Sequence, residues 1–124
     1  MSDNQKNKNS SILLVGNPNT GKSTLFNTLT GLNQHVGNFP GVTVDKKEGS
    51  FKLKSEKFSV IDLPGTYSLS PTSEDERVAQ KFITNSENEI IVVVADATNL
   101  KRNLLLCTQI IDLKKPVILA LNMM

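Results

Sequence analysis

An α/β fold, a mostly parallel sheet with helices on both faces, follows from three features of this 124-residue sequence. Residues 12–15, 90–95 and 117–121 are unbroken apolar runs, the pattern of strands buried on both faces. Between them lie segments of helical periodicity, residues 22–29, 73–83 and 99–114, so strands and helices alternate. The octet Gly16-Asn17-Pro18-Asn19-Thr20-Gly21-Lys22-Ser23 joins the first run to the first helix. It fits the phosphate-loop pattern G-x-x-x-x-G-K-[ST] at every constrained position, in the strand-to-helix context that the pattern requires.

Each element has its own signal. Residues 1–10 are rich in Asn, Lys and Ser with no apolar core, which predicts a disordered leader and no signal peptide. The first helix carries Leu25, Phe26 and Leu29 on one side, and Gly31 supplies a C-cap. Residues 31–43 contain Gly37, Pro40 and Gly41 without periodicity and read as a long loop, a length that suggests function. Residues 46–54, alternating around Phe51 and Leu53, read as an antiparallel edge strand. A tight turn at Ser55-Glu56 leads to a strand over 57–62 that ends on Asp62.

After a loop over 63–72, Ser73 and Glu76 form a capping box for a helix bearing Val78, Ala79, Phe82 and Ile83. A buried strand follows over 89–96. The next helix shows Leu104, Leu105, Ile110 and Ile111 as its apolar side, and a third buried strand spans 116–122. Ligands of such sheets bind at the carboxyl ends of the strands, where Gly16, Asp62, Asp96 and Asn122 all fall.

Composition narrows the chemistry. With 14 basic and 12 acidic side chains the net charge is +2, too balanced for a nucleic-acid surface. Cys107, the one cysteine, lies in an apolar run and reads as a small buried side chain in a reducing compartment. One cysteine and one histidine, His35, cannot assemble a zinc or iron site in the usual way. No apolar run approaches the roughly 20 residues of a membrane span.

The octet explains its own residue types. Gly16 and Gly21 let the backbone turn tightly and approach a polyphosphate, and the loop N–H groups converge with the helix N-terminus on the anion. Lys22 reaches β- and γ-phosphates, and the Ser23 hydroxyl ligates Mg²⁺. Asp62-Leu63-Pro64-Gly65 is a second element: a strand-end acid that holds Mg²⁺ and a Gly65 N–H free to meet a γ-phosphate. The plainer alternative is an Asp capping its own Pro-Gly bend. Thr43 lies between these elements, where a loop threonine closes on Mg²⁺ and the γ-phosphate and so senses which nucleotide is bound. Asn122 is placed to read guanine, as in an Asn-Lys-x-Asp motif, but the sequence runs Asn122-Met123-Met124 and the partner Asp would be the next residue.

In this order the four elements resemble a small GTPase domain. The wording is narrower. Gly16-Asn17-Pro18-Asn19-Thr20-Gly21-Lys22-Ser23, Gly37-Asn38-Phe39-Pro40-Gly41-Val42-Thr43-Val44, Lys46-Lys47-Glu48-Gly49 and Asp62-Leu63-Pro64-Gly65-Thr66-Tyr67-Ser68-Leu69 resemble the N-terminal domain of the bacterial ferrous iron transport protein B family. The resemblance covers Ser11 to Met124. Ribosome-assembly GTPases of the TrmE-Era-EngA group share Pro-Gly-x-Thr but usually follow it with Arg-Asp, where this chain has Val44.

The resemblance implies a phosphate-loop NTPase fold, a three-layer sandwich, here over residues 11–124 and lacking the last strand and helices of the G domain. It implies GTP or GDP with Mg²⁺ bound by Gly16-Asn17-Pro18-Asn19-Thr20-Gly21-Lys22-Ser23-Thr24, Gly41-Val42-Thr43-Val44-Asp45, Asp62-Leu63-Pro64-Gly65 and Asn122. Lys22, Thr43, Gly65 and Asn19 would carry hydrolysis, and Ser23, Thr43 and Asp62 would hold Mg²⁺. In the family Asn19 ligates K⁺, which supplies charge that an arginine finger supplies elsewhere; the alternative is that Asn19 only stabilises its turn. Thr66 stands where many GTPases place Gln, so intrinsic hydrolysis should be slow. The family places this segment in the cytoplasm, ahead of helical and Fe²⁺-carrying transmembrane regions at the inner membrane, and no direct iron site is expected here. Two other readings fit the same residues: a soluble ribosome- or RNA-associated GTPase, and a nucleotide-gated binding module with negligible turnover.

Overall fold

The computed structural model describes residues 9–122; most of the expected leader, residues 1–8, and Met123-Met124 lie outside the described residues. Among the described residues, six strands and three α-helices follow in the order β1 (Asn9–Gly16), α1 (Lys22–Thr30), β2 (Gln34–Asn38), β3 (Asp45–Leu53), β4 (Glu56–Asp62), α2 (Glu74–Thr84), β5 (Ile90–Asp96), α3 (Leu100–Asp112) and β6 (Val117–Asn122). One 3₁₀ turn, Ala97–Asn99, leads into α3. The sheet order is β2-β3-β4-β1-β5-β6. β4, β1, β5 and β6 run parallel, while β2 and β3 pair antiparallel at one side.

β1 lies at the centre because its residues are apolar on both faces. Leu13 and Val15 enter a core closed by Ala79 and Ile83 of α2 and by Leu106, Cys107 and Ile110 of α3. Ile12 and Leu14 point the other way, onto Phe26 of α1, Val60 and Val94. The three layers are therefore α1, the sheet, and α2 with α3. At the α1 side Phe51 and Phe58 stack across β3 and β4 with ring centroids 5.0 Å apart.

The expected helix caps form. The Gly31 N–H donates to Asn27 O at 2.9 Å with φ at 56°, a left-handed value that glycine adopts without cost. Ser73 Oγ accepts from Glu76 N–H at 3.1 Å. The return contact of a capping box shifts by one residue: Glu76 Oε1 accepts from the Thr72 N–H at 2.9 Å and from its hydroxyl at 2.8 Å. The Thr72 N–H is the larger cause that holds the Glu76 carboxyl below its ordinary range.

Four expectations change. The loop over 31–43 contains a strand, β2, so the antiparallel side has two strands where one was expected. Its short run Gln34-His35-Val36-Gly37-Asn38 is exposed throughout, which leaves no apolar alternation to read. The hairpin turn falls at Lys54-Ser55, one residue early, because Leu53 pairs with Glu56 and Lys54 takes a positive φ of 59°. α3 buries Asn103, Leu106, Cys107 and Ile110, while Leu105 and Ile111 face solvent. A run of three leucines admits several helical phases, and the polar Asn103 marks the one used. Finally, β6 was expected to be buried, yet Ile118, Leu119 and Leu121 are 55%, 39% and 57% exposed. Among the described residues it pairs only with β5.

β1 ends where it must pass close to β5. A Cβ on Gly16 would lie 2.5 Å from Val94 O, a backbone atom that cannot turn aside. Gly16→Ala should therefore destabilise the domain by about 2 kcal/mol, the usual cost of forcing a methyl into a filled core. Chemical denaturation reads this directly, and an unchanged midpoint would show that β1 and β5 can part at no cost.

Candidate functional site

The phosphate loop leaves β1 at Gly16 and returns as α1 at Lys22, so its bends fall on the intervening residues. Asn19 has φ 65° and Gly21 φ 88°. Asn is among the few side chains that tolerate the left-handed region, and Gly21 meets it freely. Thr20 Oγ1 donates to Asn17 O at 3.1 Å and closes the turn from within. Beside the loop is an open cavity of about 540 Å³ lined by Asn17 through Thr24, Gly65 and Asp75.

Lys22 and Asp62 meet on the floor of the site. Both are nearly buried, 9% and 6% exposed. The Lys22 ammonium donates to Asp62 Oδ1 and, at 2.7 Å, to Leu63 O. β4 brings this about: it runs parallel beside β1, pairing Leu14 with Asp62. The Leu63 N–H then donates to Leu14 O at 3.0 Å and the Thr66 N–H to Gly16 O at 2.9 Å, which lays Asp62-Leu63-Pro64-Gly65 alongside the octet. Gly65 must be glycine for a close approach. A Cβ there would sit 3.0 to 3.1 Å from three atoms of Pro18.

Asn122 joins the same cluster through its amide, whose Nδ2 donates to Thr20 O at 3.0 Å. Its role in the described residues is thus to hold the phosphate loop from the end of β6. Ser23 and Thr24 are exposed on the first turn of α1 and line the cavity. The Asp62 carboxylate and Ser23 hydroxyl are oxygen donors of the kind that suits a hard cation such as Mg²⁺, and here Asp62 is taken up by Lys22.

The Gly41-Val42-Thr43-Val44-Asp45 stretch is not brought into the cavity. Val44 is buried in the core with Phe39, Val42 packs against it, and Gly41, Thr43 and Asp45 are exposed. Two bonds fold the stretch back on itself: Phe39 N–H to Val44 O at 3.0 Å and Val42 N–H to Phe39 O at 3.3 Å. Asp75, conversely, lines the cavity and was missed. The clue was available, since the Ser73 cap places the first turn of α2 directly after the Gly65 loop. Asp96 serves the chain itself, accepting from Thr98 Oγ1 at 2.6 Å and Thr98 N–H at 2.9 Å, and these bonds hold its carboxyl low. Burial pushes the Cys107 thiol up, as expected of an unreactive core side chain.

A family model described as ferrous iron transport protein B matches residues 10–124. The chain belongs to this family. An Fe(2+) transporter FeoB of Methanocaldococcus jannaschii is 53% identical over 106 residues, which are 86% of this chain and 16% of that protein. The chain thus spans about a sixth of the curated FeoB relatives that it matches. The G domain of the T. maritima FeoB iron transporter superposes with TM-score 0.87 at 45% identity, covering 91% of this chain and 71% of that one. An S. thermophilus NFeoB variant bound to GDP superposes with TM-score 0.84 at 50% identity, covering 92% of this chain and 44% of that one. FeoB membership and a G-domain fold decide for the transporter family over the ribosome-associated GTPases.

Proposed function

We propose that this FeoB segment binds and hydrolyses GTP as the cytoplasmic domain of a ferrous iron membrane transporter. The observation that carries the reading is the convergence of Lys22, Asp62 and Gly65 on one loop of phosphate-binding geometry. The GDP complex of the S. thermophilus relative supports it. The chain's place ahead of helical and transmembrane regions rests on the family and on the greater length of its relatives.

The residues divide the work by position. N–H groups from Asn19 to Ser23, with the positive end of α1, face the α- and β-phosphates. Lys22 exchanges its contacts with Asp62 and Leu63 O for β- and γ-phosphate oxygens. Asp62, once released from Lys22, would hold Mg²⁺ together with Ser23 and Thr43. When bound, Mg²⁺ draws charge from the β- and γ-phosphate oxygens. Gly65 presents its N–H to the γ-phosphate from across Pro18. Thr66 is fully buried and its Oγ1 donates to Ser68 O at 2.8 Å. That bond engages its hydroxyl within the chain, which supports slow turnover.

Water attacks the γ-phosphorus, the bond to the bridging oxygen breaks, and the negative charge moves to the GDP leaving group. Asn19 is exposed on the cavity wall, and its side-chain oxygen suits K⁺, which would offset that charge. Asn122 fixes the loop from the guanine side of the site.

Thr43→Ala tests the closing loop. It should weaken a non-hydrolysable GTP analogue about tenfold, the worth of one bond to a charged group, and leave GDP affinity within about twofold. Calorimetry on the complete domain gives both values. Equal losses for the two nucleotides would show that Thr43 only shapes the loop around Val44.

A further inference from the structure

We infer that Arg102 and Tyr67 form a brace that sets the segment after Gly65 against the phosphate loop, making both positioning residues for γ-phosphate cleavage; this rests on the GTPase reading above. Neither touches the cavity that would hold the β- and γ-phosphates. They line a second, smaller pocket of about 240 Å³ with Asn103, and this pocket shares Asn17, Pro18, Asn19 and Thr20 with the first.

The brace begins at a firmly held turn. Asn103 is 4% exposed; its Oδ1 accepts from the Asp96 N–H at 3.2 Å and its Nδ2 donates to Asn99 O at 2.8 Å. These bonds pin the first turn of α3 to the end of β5. Arg102 precedes Asn103 and works in two directions. Its carbonyl oxygen accepts from Asn17 Nδ2 of the phosphate loop at 3.4 Å. Its guanidinium carbon lies 4.4 Å from the centre of the Tyr67 ring, within cation–π range.

Tyr67 sits in a segment tied on both sides. The Thr66 N–H is bonded to Gly16 O, and the Leu69 N–H donates to Gln109 Oε1 of α3 at 2.7 Å. The stacked ring fixes the residue between these ties, so the path from Gly65 to α2 is defined relative to the loop. Gly65 is two residues away and already pressed on Pro18. A small swing of Thr66-Tyr67 would move the Gly65 N–H off the γ-phosphate, while GDP, which has no γ-phosphate, would not register it. The brace should therefore act on kcat and leave diphosphate affinity alone.

Asn17 adds to the case. It is 3% exposed and its Oδ1 is buried with no hydrogen-bond donor among the described residues. Its amide is thus retained at a cost, as befits a link between loop and brace rather than a filler.

The test is a double-mutant cycle on the complete cytosolic domain using Arg102→Met, which keeps an apolar stem, and Tyr67→Leu. Each single change should lower kcat three- to tenfold with GDP affinity within twofold of wild type, and the double variant should lose no more than the worse single one. Arg102→Lys, which keeps a cation over the ring, should recover at least half of the wild-type kcat. Multiplicative losses, an unchanged kcat, or a parallel loss of GDP affinity would overturn the brace. Wild-type protein that bound no GDP and released no phosphate would instead overturn the GTPase reading and the brace with it. Thermal midpoints exclude misfolding, since both side chains reach the surface.

Discussion

Lys22→Ala should abolish measurable binding of GTP and GDP, a loss of at least a hundredfold. The ammonium is the one cation on the floor of the phosphate cavity among the described residues, and the α1 N-terminus alone leaves several phosphate charges uncompensated. A second effect follows from its burial. With Lys22 gone, the Asp62 carboxylate is left buried without its partner, and breaking such a pair typically costs about 3 kcal/mol. The Lys22→Ala, Asp62→Ala double variant should recover most of that stability and none of the nucleotide binding. Denaturation and calorimetry together separate the two roles. Full nucleotide affinity in Lys22→Ala would dismiss the phosphate-loop assignment.

Asn19 carries the second large effect. A complete domain should hydrolyse GTP at least tenfold faster in K⁺ than in Na⁺ at equal ionic strength, and Asn19→Ala should erase the difference. Alanine alone is ambiguous here, because Asn19 occupies φ 65°, where a Cβ without a polar group costs about 1 kcal/mol. Asn19→Gly resolves this, since glycine accepts that backbone and removes only the amide. If the amide ligates K⁺, Asn19→Gly should be as insensitive to K⁺ as Asn19→Ala, with GDP affinity nearly intact in both. Should Asn19→Gly keep its K⁺ response, Asn19 would be a turn residue only.

Much of this architecture was legible because it depends on local chemistry. β1 and β5 were plain from apolar runs of the kind that strands covered on both faces carry, and the octet fixed both the turn and the start of α1. Ser73 and Gly31 marked helix ends through the backbone groups they satisfy. What escaped depends on neighbours. β2 is an exposed strand whose only reason to extend is the ladder it makes with β3, and no apolar pattern records that. α3 could be phased only by knowing that Asn103 faces inward to cap the end of β5.

The site divides the same way. Asp62 and Gly65 could be placed from their motif, yet their contacts with Lys22 and Pro18 depend on how β4 pairs with β1. Val42 and Val44 sit in a stretch whose threonine suggested nucleotide contact, but their own side chains pack into the core. Asp75 carried no motif and entered the cavity wall because the α2 cap faces it. Tyr67 and Arg102 are 35 positions apart, and only the fold brings ring and guanidinium together.

The central claim is that the loop from Gly16 to Ser23 binds GTP and that the residues around it cleave the γ-phosphate. Phosphate release from GTP, followed in K⁺ and Mg²⁺ on the complete domain beside its Lys22→Ala variant, tests it most directly. Slow but saturable release from the wild-type protein and none from the variant is the predicted result. Equal release from both proteins, or none from either, would contradict it.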